Sequence, residues 1–170
     1  GVQIAAALGA KVVALDVNRD RLNLLASHGA SLTLRPDEMT SKELRQAVRA
    51  FAKEHGIPGW RHKVFETSGT PAGQVAAFGL LGPGSYLSVV GYTPAKVEIP
   101  LSNLMAFDAT AQGNWGCLPE HYPSVLELVL DGKVALEPFV ERRPLASINE
   151  TFAELHGGKV SGRVILVPES

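Results

Sequence analysis

The stretch Gly9-Ala10-Lys11-Val12-Val13-Ala14-Leu15-Asp16-Val17-Asn18 decides the fold. A glycine stops what precedes it, a compact apolar run from Lys11 to Leu15 follows, and the run ends on an aspartate. So short an apolar run, bounded by turn residues, reads as a strand buried on both faces, the kind found in parallel sheets. Parallel strands need crossover connections, so helices should flank it.

The flanking sequence has that form. Residues 1 to 8 read as a helix already under way, which ends at Gly9. Asn18 can cap a second helix that carries Leu22, Leu25 and Ala26 at helical spacing and closes at Gly29. Ser31 to Leu34 is a short strand, and residues 41 to 55 form an amphipathic helix with Leu44, Val48, Phe51 and Ala52 on one face. Val64-Phe65-Glu66 is a strand running into the turn Thr67-Ser68-Gly69. Gln74 to Leu81 is helix, and Pro83-Gly84 turns the chain into the strand Tyr86 to Val90. The alternation predicts an α/β fold with a doubly wound, parallel, Rossmann-type sheet and right-handed crossovers.

The pattern then changes. Short β-like pieces are expected at Val97 to Ile99 and Ala109 to Gly113, and a helix at Tyr122 to Leu130. A strand follows near Phe139-Val140, then a helix from Ile148 to Leu155 with Ile148, Phe152 and Leu155 on one side. The last strand runs from Arg163 to Val167.

Composition narrows the function classes. The chain has 170 residues, 45% hydrophobic and 19% charged, which fits a soluble globular core and argues against disorder. Its net charge of −1 gives no bulk attraction to nucleic acid or an anionic membrane. No apolar run approaches the roughly 20 residues of a membrane span. Cys117 is the only cysteine, so no internal disulfide can form and a reducing cytosol is the natural compartment. His28, His55, His62, His121 and His156 lack metal-ligand spacing, and no nucleophile elbow is present, so neither metal ligands nor catalytic residues are expected here. The chain begins at Gly1 without methionine, and the natural polypeptide is expected to extend further in that direction.

Several positions could carry chemistry. An acid at the end of the second strand of a dinucleotide-binding sheet accepts both adenosine ribose hydroxyls and repels a 2′-phosphate, so Asp16 would select NAD over NADP. It can equally be a surface aspartate at the mouth of a turn. The nearby Arg21 could tolerate a 2′-phosphate, although Asp16 is the closer group. Val90-Gly91-Tyr92 lies at the carboxyl end of a parallel strand, where a glycine lets a flat ring approach, or the chain merely exits. Gly113-Asn114-Trp115-Gly116 could hold a carboxamide with backbone groups, while Trp115 by itself reads as core. Arg163 could bond a diphosphate with its fork or simply be solvated. Arg142-Arg143 reads as a small solvated basic spot. No GxGxxG stands at a strand-to-helix turn.

Taken together, the motifs form a family pattern. Val64-Phe65-Glu66-Thr67-Ser68-Gly69, Leu80-Leu81-Gly82-Pro83-Gly84, Val89-Val90-Gly91 and the tail from Ile148-Asn149-Glu150-Thr151-Phe152 to Gly162-Arg163-Val164-Ile165-Leu166 run in the order found in zinc-type (medium-chain) alcohol dehydrogenases, which the chain resembles over nearly its whole length. The resemblance implies the C-terminal half of such an enzyme. Residues 1–116 would be an NAD-binding Rossmann domain lacking its first strand, and residues 117–170 the C-terminal segment of a split catalytic domain. It places Asp16 and Arg21 at the ribose, Thr67 and Ser68 on the adenosine side, Val90, Gly91, Tyr92 and Asn114 at the nicotinamide, and Arg163 at the diphosphate. The zinc ligands, proton relay and glycine loop of the family precede this segment, so the parent would bind zinc while this chain supplies no ligand and cannot transfer hydride alone. The missing strand would leave a sheet edge open to aggregation.

The implied partners are a small-molecule alcohol and a second copy of the chain, in a dimer or tetramer paired around Lys96 to Pro100. Within the family, the stretches from Gln112 to Pro123 and from Pro138 to Pro144 look closest to dehydrogenases of a cyclic hydroxyacyl-CoA in anaerobic aromatic breakdown. A short-chain alcohol or sugar alcohol is the other substrate. A stand-alone nucleotide-binding or regulatory module would use the same sheet-end features.

Overall fold

The computed structural model describes residues 1–168. The chain divides into two compact units, one made of Gly1–Thr33 with Glu120–Ser170 and the other of Leu34–Pro119.

In the first unit, α1 (Val2–Ala7) leads into β1 (Val12–Leu15), α2 (Arg19–Ala26) and β2 (Ala30–Leu34), and the two strands form a two-stranded sheet. α2 starts where expected because the Asn18 side chain accepts the Arg21 N–H at 3.0 Å. The same unit holds α6 (Tyr122–Leu130), β6 (Val140–Pro144), α7 (Ile148–His156) and β7 (Arg163–Val167), with β6 and β7 paired in parallel. Gln3 ties its two chain segments together: its amide donates to the Ala135 carbonyl at 2.9 Å and accepts the Ala135 N–H at 2.7 Å.

Two expectations in this unit hold and one changes. Ile148, Phe152 and Leu155 do share a side of α7 but are substantially exposed, and the residue that α7 buries is Thr151. Arg143 is not a free basic spot. Its guanidinium donates to Glu141 and Glu154, each at 2.7 Å, and the two carboxylates push its pKa up. The strand expected near Phe139-Val140 is β6, which begins at Val140 directly after a 3-10 turn at Glu137–Phe139.

The second unit carries α3 (Ser41–Glu54), β3 (Lys63–Glu66), α4 (Pro71–Gly79), β4 (Tyr86–Val89), α5 (Ser102–Ala106) and β5 (Thr110–Gly113). Its sheet is three-stranded and parallel in the order β3-β4-β5. Leu44 and Phe51 are the buried residues of α3, as its periodicity requires. The helix opens on a capping box: Thr40 Oγ1 accepts the Glu43 N–H, and the Glu43 carboxylate accepts the Thr40 N–H at 2.8 Å. Those bonds from Thr40 lower the Glu43 pKa.

α4 starts at Pro71, three residues before the expected Gln74, because Thr70 Oγ1 accepts the Gly73 N–H at 3.0 Å and proline suits a first turn. The helix lays Ala77 and Phe78 against Leu81 and Leu87, and Val64, Val89, Ile99 and Leu104 pack round this cluster. Val97 to Ile99 does not form the expected strand. Ile99 is held by the core, and a strand without a ladder partner has nothing to fix it. Between the two expected β-like pieces, residues 102–106 form the short helix α5.

Candidate functional site

The registers of the second unit bring the expected positions together. Glu66 pairs with Val89, and Val89 with Gly113. Three adjacent parallel strands therefore end in line, and Thr67-Ser68, Val90-Gly91-Tyr92 and Asn114 leave the sheet side by side at its carboxyl edge. That edge is where open α/β sheets hold ligands.

Glu66, which was not among the expected site residues, organises this edge. Its side chain is 3% exposed. Oε1 accepts the Ser68 hydroxyl at 2.6 Å, the Ser68 N–H at 2.8 Å and the Gly69 N–H at 3.2 Å. The Glu66 carbonyl accepts the N–H groups of Val90 and Gly91 at 2.8 and 2.9 Å. One residue thus fixes the 67–69 turn with its side chain and the 90–91 segment with its backbone. Strand alternation was the signal available in the sequence: Glu66 lies two residues from Val64, on the face that packs on α4.

Gly69 and Gly91 interlock. Gly69 has φ +63°, and a Cβ there would meet the Tyr92 carbonyl oxygen at 2.6 Å. At Gly91 a Cβ would fall 2.2 Å from the Gly69 nitrogen. The missing side chain at 91 is thus occupied first by the neighbouring turn. Gln74 Nε2 adds a bond to the Gly91 carbonyl at 3.3 Å. Asn114 is anchored at both ends: its N–H donates to the Val89 carbonyl at 2.9 Å and its amide to Ser88 Oγ at 2.7 Å. Ser88 was also missed by sequence reasoning. Trp115, expected in the core, is 96% exposed, just beyond the edge strand β5.

In the first unit, Asp16 ends β1 with its carboxylate oriented. Oδ1 accepts the Asn18 N–H at 2.8 Å, and Oδ2 lies 3.6 Å from the Arg21 guanidinium. Arg21 also donates to the carbonyls of Val160 and Ser161 at 3.1 and 3.3 Å. These bonds draw the segment just before Arg163 to α2. Arg163 itself is exposed at the first position of β7. The two carbonyl hydrogen bonds and the Asp16 ion pair do not exhaust the five N–H donors of the Arg21 guanidinium. Among the described residues, no three His, Cys, Asp or Glu side chains are grouped to hold a metal ion, and Cys117 is exposed.

Comparison with known proteins gives this arrangement a context. The family model described as "Zinc-binding dehydrogenase" matches residues 1–131. Galactitol 1-phosphate 5-dehydrogenase of Escherichia coli (strain K12) is 25% identical over 98% of this chain and 49% of its own length. The chain spans about half the length of the curated relatives it matches. The crystal structure of the alcohol dehydrogenase from the archaeon Aeropyrum pernix superposes with a TM-score of 0.83 at 25% identity, over 98% of this chain and 46% of that one. An alcohol dehydrogenase from E. coli CFT073, complexed with the cofactor NADH, has the same fold at 14% identity and a TM-score of 0.76, over 98% of this chain and 48% of that one.

Proposed function

The chain belongs to the zinc-binding dehydrogenase family, and on that premise we propose that it is the NAD-binding half of an alcohol dehydrogenase. The observation that carries the proposal is the alignment of Thr67-Ser68, Val90–Tyr92 and Asn114 at the carboxyl edge of β3-β4-β5. The NADH bound by the E. coli CFT073 relative supports the choice of cofactor. NAD, when bound, accepts a hydride from the alcohol carbon.

The chain's own residues do the rest. Asp16, already turned by Asn18 and Arg21, offers acceptors to ribose hydroxyls and repels a 2′-phosphate. Arg163 offsets diphosphate charge. Thr67 and Ser68 flank the adenosine side. The backbone of Val90, Gly91 and Tyr92 meets the nicotinamide, and the anchored Asn114 lends it backbone groups. Glu66 keeps the 67–69 and 90–91 segments in one geometry, which positions them without requiring contact with the cofactor. The family name implies zinc, but the donor groups described here do not form a site for it, so no step is assigned to the metal.

On this reading residues 1–116 are the NAD-binding domain and residues 117–170 the C-terminal segment of a split catalytic domain. The parent oxidises a secondary alcohol in the cytoplasm as a dimer or tetramer paired through residues 96–100. The chain's stretches 112–123 and 138–144 favour a substrate like that of 6-hydroxycyclohex-1-ene-1-carbonyl-CoA dehydrogenase, a cyclic hydroxyacyl-CoA. Among the described residues no helix is long and apolar enough to cross a membrane. Amide spectra of the labelled chain titrated with NAD test the cofactor reading. Shifts should gather at Ser68, Val90, Gly91 and Asn114, and shifts that leave all four unmoved would refute it.

A further inference from the structure

The side-chain amide of Asn114 has one end tied down and the other free. Asn114 is exposed just beyond β5, and its Nδ2 donates to Ser88 Oγ at 2.7 Å and to the Gln112 carbonyl at 3.4 Å. A serine hydroxyl can donate or accept, but a main-chain carbonyl only accepts, so the Gln112 contact fixes which end of the amide is which. Turned round, the amide would set its oxygen against that carbonyl. Nδ2 therefore points inward, and Oδ1 has no hydrogen-bond partner among the described residues.

Ser88 is what holds the amide, and it is only 5% exposed. Leu87 and Val89 of β4 pack on the α4 cluster, so the side chain of Ser88 between them projects from the other face of the sheet. Its register partner on β5 is Gln112, and it stands two residues before Val90. The bond thus draws the Asn114 amide off its own strand and towards β4, beside the 90–92 segment. We propose that Asn114 Oδ1 accepts the carboxamide N–H of the nicotinamide, and that Ser88 is the positioning residue that aims it. The inference rests on the cofactor reading above and adds a preference to it: the site selects a ring substituent that can donate. A ketone in the carboxamide's place offers Oδ1 no proton.

Calorimetric titration of the chain with NAD, its 3-acetylpyridine analogue and ADP-ribose separates the two readings. The analogue carries a methyl group where NAD has the amide nitrogen, and ADP-ribose has no nicotinamide ring. NAD should bind roughly two- to tenfold more tightly than the analogue, the range of one hydrogen bond between neutral groups. Asn114→Ala should abolish that preference. Ser88→Ala, which releases the amide, should shrink it and leave the affinity for ADP-ribose unchanged, whereas a merely structural loss would lower all three affinities together. Equal affinity of the native chain for NAD and the analogue overturns the proposal even if both variants fail to fold, and leaves the cofactor reading standing. A preference undiminished by either substitution overturns it too. A native chain that binds neither NAD nor ADP-ribose removes the cofactor reading and this inference with it.

Discussion

Gly91→Ala is the substitution whose outcome the structure fixes most tightly. The new Cβ would fall 2.2 Å from the Gly69 nitrogen, 2.6 Å from Glu66 Oε2 and 2.7 Å from the Gly69 Cα. Two of these are main-chain atoms, and the third belongs to a carboxylate held by three donors, so no flexible side chain can yield. Relief requires the 67–69 turn to move away from 90–92, breaking bonds to Glu66. Overpacking of this kind costs about 1–3 kcal/mol, and the rigid surroundings put this case near the upper end. At about 2–4 °C per kcal/mol for a chain of this size, the melting point should fall by roughly 6–12 °C. Gly113→Ala is the matched control, at the end of the neighbouring strand, where a Cβ meets nothing within 4 Å. It should change stability by no more than about 0.5 kcal/mol. Thermal unfolding of the two variants followed by circular dichroism decides the matter, and equal melting points would refute the interlock of Gly69 and Gly91.

Two further predictions concern stability away from this edge. Thr40→Ala removes the α3 cap and should cost about 1 kcal/mol in urea unfolding. The cap lowers the Glu43 pKa below its unfolded value, so its contribution is complete above the unfolded value and disappears as pH falls through the folded one. The variant should therefore lose part of the native acid-side decline in stability, and an unchanged pH profile would contradict the capping box. Arg143→Met removes the links to Glu141 and Glu154 and should lower the melting point more at low ionic strength than in about 1 M salt, where exposed charges are screened. A salt-independent loss would mean that Arg143 acts by packing alone.

The sequence was most legible where one local signal had no competitor. Asn18 placed the start of α2, and the apolar runs at Val12 and Arg163 gave strands. Tyr122 to Leu130 is helical over the expected residues. The parallel α/β class followed from alternation, and relatives with TM-scores above 0.8 share it. What could not be read depended on partners distant in the chain. Val97 to Ile99 has strand composition, yet Ile99 is claimed by the core under α4. Trp115 looked like core because of its size, but nothing in its own neighbourhood reports that it stands just beyond an edge strand. Five residues in α5 are too few to display a helical period. Glu66 escaped notice because its role rests on donors from Ser68, Gly69, Val90 and Gly91, which only the fold assembles.

The central claim, that this chain carries a site for NAD, is tested most directly by calorimetric titration of the folded chain with NAD and NADP, repeated on Asp16→Asn. Asparagine keeps an oxygen for the Asn18 N–H, so the turn survives while the charge is lost. NAD should bind more tightly than NADP, and the variant should lose about 10- to 100-fold in NAD affinity, the worth of charge-assisted hydrogen bonds to the ribose. A folded chain that binds neither dinucleotide, or a variant with undiminished NAD affinity and preference, would contradict it.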